Sequence, residues 1–186
     1  DVYADTLDRT QRDMMARKLG LRDYRPDEDG TLLQELSELL AAVETDMTIF
    51  FRRLAEVGPE LAERNDEALL APLMPAYYRP ATIPESHRHR TVRWLRRYLA
   101  RVRDDGSPEP ERRARMNAAN PKYVLRNYLA QLAIDDAEQG DPSTLHELLD
   151  VMRRPYDEQP GRERFAAKRP EWARHRPGCS MLSCSS

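Results

Sequence analysis

Cysteine is nearly absent from this 186-residue chain: there are two, both within the last eight residues. Two cysteines cannot build a disulfide-rich secreted scaffold. Glycine is scarce as well, with seven in all, and none of them forms a glycine-rich loop of the kind that cradles phosphates. No run approaches the roughly 18 consecutive apolar residues of a membrane span, which excludes an integral helical membrane protein. Nothing at the start reads as a signal peptide. No segment gives a convincing strand pattern. An initiator methionine is missing too, since the chain opens Asp1-Val2-Tyr3. That start is expected of a processed product or of a piece of something longer. Cytosolic-type chemistry is the expectation these absences leave.

What is present is 40% hydrophobic and 33% charged, with a mean hydropathy of -0.80. The apolar residues sit in periodic blocks, and the length suits one ordinary core. The formal net charge of -2 hides an asymmetry. Residues 1–86 carry 18 acids against 10 bases, and residues 87–186 carry 14 against 20. The two parts are therefore at -8 and +6, and such halves are expected to pair with each other or with a neighbouring domain.

Periodicity predicts an all-α, irregular multi-helix domain over residues 1–154 and an extended proline-rich tail over 155–186. The first helix is expected from about Thr6 to Leu19, closed by Gly20 as a left-handed cap. Thr31 and Gln34 have capping-box spacing ahead of the stripe Leu32, Leu36, Leu39 and Val43. Asp46 is placed to cap a third helix that Gly58-Pro59 stops. A short amphipathic piece near Glu67 to Leu73 leads into a segment judged too rich in proline for regular structure. Ser86 opens the next helix, Asp104 to Pro108 closes it, and a shorter one covers Glu109 to Met116. Asn120-Pro121 and Asp141-Pro142 both read as helix starts. In the tail, Tyr156, Phe165 and Trp172 are expected anchors along a surface.

Three features invite chemistry. His87 to Arg103 holds seven arginines and no acid. As a helix it has a narrow seam of Val92, Leu95, Leu99 and Val102. The Arg88–Arg103 face can grip phosphates, with Trp94 and Tyr98 available to stack bases. It can equally be an intramolecular face answering the acidic first half, and a pI near 6.2 favours that. The carboxylate pairs Asp104-Asp105 and Asp135-Asp136 do not share a helix face and are expected to face solvent. The last feature is Cys179 and Cys184. With His175 they supply three zinc ligands and lack a fourth. A local disulfide, reactive thiols on an exposed tail, and two inert cysteines are the other readings.

Several blocks, taken in order, resemble the C-terminal portion of the selenoprotein O family, in its bacterial cysteine-containing form. They are Lys18-Leu19-Gly20-Leu21, Asp46 to Leu54, Met116 to Leu129, Lys168 to Ala173 and the terminal Ser183-Cys184-Ser185-Ser186. The resemblance spans essentially the whole chain. Cys184 matches the position where some eukaryotic members carry selenocysteine. Ser183 stands where those forms can have a second cysteine, so a vicinal pair is absent. The resemblance implies the helical C-terminal part of a protein-kinase-like (pseudokinase) fold, in a cytoplasmic bacterial protein adenylyltransferase that moves AMP from ATP, with magnesium, to protein hydroxyls. No lysine on a strand and no DFG-type aspartate is found, so no catalytic, nucleotide-binding or metal-binding residue is carried over, and the chain alone is expected to be inactive. The implied partners are the N-terminal kinase-like lobes and protein substrates, without a membrane and without nucleic acid. Cys184 is expected to act as a redox handle, paired with Cys179 or with a cysteine outside the chain. The alternative is a free-standing helical module that binds nucleic acid or protein through residues 88–103.

Overall fold

A computed structural model describes residues 2–179, with side chains from residue 6 onward. Eight α-helices follow one another: α1 (Val2–Leu19), α2 (Pro26–Ala42), α3 (Met47–Leu54), α4 (Asp66–Leu70), α5 (Glu85–Asp105), α6 (Glu109–Ala119), α7 (Asn127–Glu138) and α8 (Ser143–Met152). No strand occurs among the described residues, and one isolated antiparallel bridge joins Thr45 to Tyr77. The all-α expectation holds. No helix among the described residues is long and apolar enough to cross a membrane.

Residues 1–120 and 121–186 form two compact units. The division thus falls at Asn120–Pro121 and not after residue 154. In the first unit α2 packs along α5, α1 along α6, and α3 against the 3-10 turns that follow α4. The seam foreseen on α5 is real: Val92, Leu95, Leu99 and Val102 are all buried. Burying such a side chain stabilises by about 1.5–3 kcal/mol. Trp94 stacks on Tyr98 with ring centroids 5.3 Å apart. The indole donates to the Leu32 carbonyl at 2.8 Å and the phenol to that of Leu19 at 2.8 Å. The two rings that the phosphate-gripping reading would make available to bases are therefore buried in the interior.

The Met116–Asn120 block has a structural explanation. The Asn120 amide, 1% exposed, donates to the carbonyls of Lys18 at 2.9 Å and Met116 at 3.0 Å. Those carbonyls belong to the ends of α1 and α6, where helices leave acceptors open. Arg52 reaches from α3 to the Asn117 and Asn120 carbonyls at 3.1 and 3.0 Å. Three helix ends are tied at one point.

Some boundaries differ from expectation. α2 begins at Pro26 and not at Thr31, so the capping box does not form and Thr31 is helix interior. α5 begins at Glu85 behind Pro84. Asn120 closes α6, residues 121–126 are not helical, and α7 starts only at Asn127. The proline-rich segment is regular after all, as 3-10 turns over Ala71–Ala76 and Pro80–Thr82.

In the second unit α7 and α8 pair across a four-residue connection. The chain beyond α8 is part of that unit's core. Phe165, Ala173 and Cys179 are buried with Tyr128, Leu129, Ala133, Leu148 and Val151. The Pro155 carbonyl accepts from the Lys122 and Tyr123 amides at 2.8 and 3.0 Å. The Gln159 side chain donates to the carbonyls of Val151 at 3.1 Å and Arg154 at 2.8 Å, which ties the tail to the end of α8. Of the three expected anchors only Phe165 is buried; Tyr156 and Trp172 are about half exposed.

Candidate functional site

α5 carries the arginine-rich segment, and its partners show what the charge does. Arg90 pairs with Glu38 and Arg97 with Glu35 on α2, Arg96 with Asp66 on α4, and Arg103 with Glu63. Arg88 donates to the Pro80 carbonyl at 2.9 Å. All four of these acids lie in residues 1–86. The arginine face answers the acidic first half of the same unit.

Arg101 is the inner member of the set, with its side chain 6% exposed against an Asp29 side chain at 1%. Its Nε donates to Asp29 at 2.9 Å, and its Nη2 donates to Asp29 at 3.3 Å and to Asp23 at 3.1 Å. Nη1 faces Asp105 at 3.7 Å, too far for a hydrogen bond. Asp29 also accepts from the Arg25 amide at 2.7 Å. The side chain of Asp105, expected in solvent, is only 3% exposed. Burial pushes its carboxyl up, but the Ser107 hydroxyl, the Arg22 amide, Arg101 and Arg115 outweigh that and hold it below the usual carboxylate range. The other pair is not free either: Asp135 binds Arg176 at 2.7 Å, and Asp136 accepts from Thr144 at 2.6 Å.

This network forms one wall of a cleft of about 570 Å³ between α2 and α5, lined by Asp27, Glu28, Asp29, Arg97, Arg101 and Asp104. ATP and magnesium do not fit it. Four carboxylates face two arginines that are already paired, so a polyphosphate meets net repulsion. Asp29, the best-placed oxygen donor for a cation, has both oxygens bound to the chain.

Arg112 is a second buried guanidinium, fully enclosed, and nothing in the sequence singles it out. It donates to Glu109 at 2.7 and 2.8 Å, to the Ala55 and Val57 carbonyls at 3.0 and 3.1 Å, and to the Tyr98 hydroxyl at 2.8 Å. Burial pushes the Tyr98 phenol up to about 12, against the opposing pull of Arg112. Glu109 is raised by burial and lowered more by Arg112 and Arg113, ending below its ordinary value. These are structural charges, each bonded on several sides.

His87 lies at 5% exposure on the first turn of α5, edge-on to Tyr77 with ring centroids 5.8 Å apart. Burial, and then Arg90, lower its pKa. Among the described residues, no group of three His, Cys, Asp or Glu side chains is placed to hold a metal ion. His175 is exposed, whereas Cys179 is buried at 5% exposure. The segment thus does bury one of the two cysteines, contrary to the exposed-tail expectation. Cys184 lies outside the described residues.

These features define an all-helical chain whose buried arginines, Arg101 and Arg112, are paired with carboxylates of the same unit. The sequence model of the family described as "Protein adenylyltransferase SelO" matches residues 1–153, and the chain belongs to that family. The chain is 54% identical over 194 residues to the protein nucleotidyltransferase YdiU of Rhodopirellula baltica, which covers all of this chain and 36% of that protein. It is 52% identical to the Aromatoleum aromaticum protein of the same description and 48% identical to that of Nitrosospira multiformis, covering 34% and 36% of them. The chain thus spans about a third of the length of the curated relatives it matches.

Proposed function

We propose that these residues are the helical, non-catalytic portion of a protein adenylyltransferase that transfers AMP from ATP to Ser, Thr and Tyr hydroxyls of proteins. ATP and magnesium bind in the kinase-like part that this chain does not contain. In that enzyme the present helices pack on and steady the catalytic part. Cys184 serves as a redox handle through a reversible disulfide with Cys179 or with a cysteine of the other part. The setting is the cytoplasm of a bacterium. The observation that carries the reading is identity of about half over the whole chain to nucleotidyltransferases roughly three times as long.

The test compares the full-length polypeptide with this chain. Full-length protein supplied with labelled ATP and magnesium is expected to transfer AMP to protein, while the chain alone neither binds ATP nor labels. Labelling by the chain alone overturns the reading. So does tight, steeply salt-dependent binding of the chain to nucleic acid, which would restore the arginine face as a binding surface. For the thiols, intact mass of the full-length protein with and without reductant is expected to differ by two hydrogens per disulfide. An unchanged mass under oxidising conditions removes the redox role.

A further inference from the structure

Residues 6–14 of α1 are little covered by their own unit, with Arg12 over the Tyr24 ring at 5.9 Å as a contact across to it. Residues 6–14 are all exposed, and burial begins only with Ala16, Leu19 and Leu21. Isolated helices shorter than about 12–15 residues are marginal in water, so an uncovered arm of this length lacks the packing that normally supports one.

The arm is two-faced. At about 100° per residue, Leu7, Thr10, Gln11 and Met14 fall within roughly a third of a turn. That stripe bears no charge, and Leu7 and Met14 are 56% and 50% exposed. Asp8, Arg9, Arg12 and Asp13 lie on the remaining circumference, and Asp8 pairs with Arg12 at 2.5 Å. Thr10 donates its hydroxyl to the Thr6 carbonyl at 2.8 Å, so its polar group is bonded within the helix. Ala16 and Leu19, which anchor α1 to its unit, lie more than about 100° from the stripe's centre. The helix is therefore fastened by its last turn on one side and offers an uncharged stripe on another.

We propose that residues 6–14 of α1 are a docking strut, and that their uncharged stripe seats the portion of the polypeptide which the relatives carry and this chain lacks. A second copy of the chain is not the occupant, on grounds of area. The strut is roughly 13 Å long and about 10 Å wide, far below the ~800 Å² per partner of a stable specific interface. A covalently continuous partner needs no such area, because tethering holds it at millimolar effective concentration. The relatives are long enough to supply one, since about two thirds of their length lies outside the match. The proposal rests on reading the chain as part of a longer enzyme, and it names the surface through which that enzyme is joined.

Hydrogen exchange tests it without reading activity. Amides of residues 6–14 are expected to exchange at least about tenfold more slowly in the full-length protein than in this chain. The full-length double variant Leu7→Asp/Met14→Asp is expected to lose that protection, while amides of α5 keep theirs. Equal exchange of the arm in both proteins overturns the proposal. Protection that grows with concentration of this chain alone overturns it in favour of self-association, and protection unaltered by the double variant removes the stripe as the seat. If AMP transfer fails while the arm is protected, only the catalytic reading falls.

Discussion

The buried charges are where single residues matter most. Arg101 and Asp29 stand side by side in the first unit, and removing either leaves the other buried without its closest opposite charge. Arg101→Met or Asp29→Leu alone is expected to destabilise by about 3–5 kcal/mol. The double replacement is expected to cost much less than the sum, because neither member of the buried pair is left facing the gap of the other. Urea unfolding of the four proteins in a cycle measures this, and simple additivity would contradict the coupling drawn from the geometry. His87 gives a pH dependence with a definite sign. Its folded pKa lies below its unfolded value, so the unfolded chain binds the extra proton and stability rises with pH. The contribution is complete above about 6.5 and declines as the pH falls below that. Asp105 and Glu109, held below ordinary carboxylate values, weaken the fold only at about pH 4 and under. Wild type is thus expected to lose stability between pH 7.5 and 5.5, and His87→Gln to lose less, by urea midpoints.

Helix ends show what can be read locally and what cannot. Gly20 and Gly106 both close helices at positive φ, 77° and 66°, yet their surroundings differ. A Cβ on Gly20 would stand 2.7 Å from Met116 and 2.8 Å from Arg112, whereas Gly106 has nothing within 4 Å. Gly106→Ala is expected to cost about 1–2 kcal/mol of backbone strain. Gly20→Ala is expected to cost a further ~1–3 kcal/mol from crowding. Equal melting temperatures for the two variants would refute the distinction. The Gly20 cap and the closing segment around Gly106 were legible in the sequence, as was Asp46, whose carboxylate accepts from the Ile49 amide at 3.0 Å, because each acts within four residues. The start of α2 was not. Asp27-Glu28-Asp29 reads as a polar connector until Arg101, 72 positions later, gives Asp29 a buried partner. Asn120-Pro121 carries a start signal that tertiary structure overrides, since the Asn120 side chain closes two other helix ends. Arg112 was illegible for a like reason: beyond Glu109, three positions back, its acceptors are the Ala55 and Val57 carbonyls and the Tyr98 hydroxyl, and no spacing rule links those to it.

At the scale of the whole molecule, the -8 and +6 halves of the sequence resolve into ion pairs within one unit, and the chain spans about a third of the length of the relatives it matches. The arginine segment could be weighed correctly from charge alone; the burial of Trp94 and Tyr98 could not, because an aromatic on a basic helix looks the same whether it points in or out. The placement of Cys179 has one more consequence. A thiol buried in the cluster that also holds Tyr128, Leu148 and Phe165 meets a reagent only when the segment after α8 swings away, so its alkylation rate is the opening frequency in disguise. In a Cys184→Ser protein, one sulfur becomes a stopwatch for that segment. Alkylation should be at least about a hundredfold slower than for a free peptide thiol, and should speed up when Gln159→Ala unfastens the two carbonyl bonds that hold the segment down. A rate equal to that of the peptide would mean that the stopwatch never starts from zero.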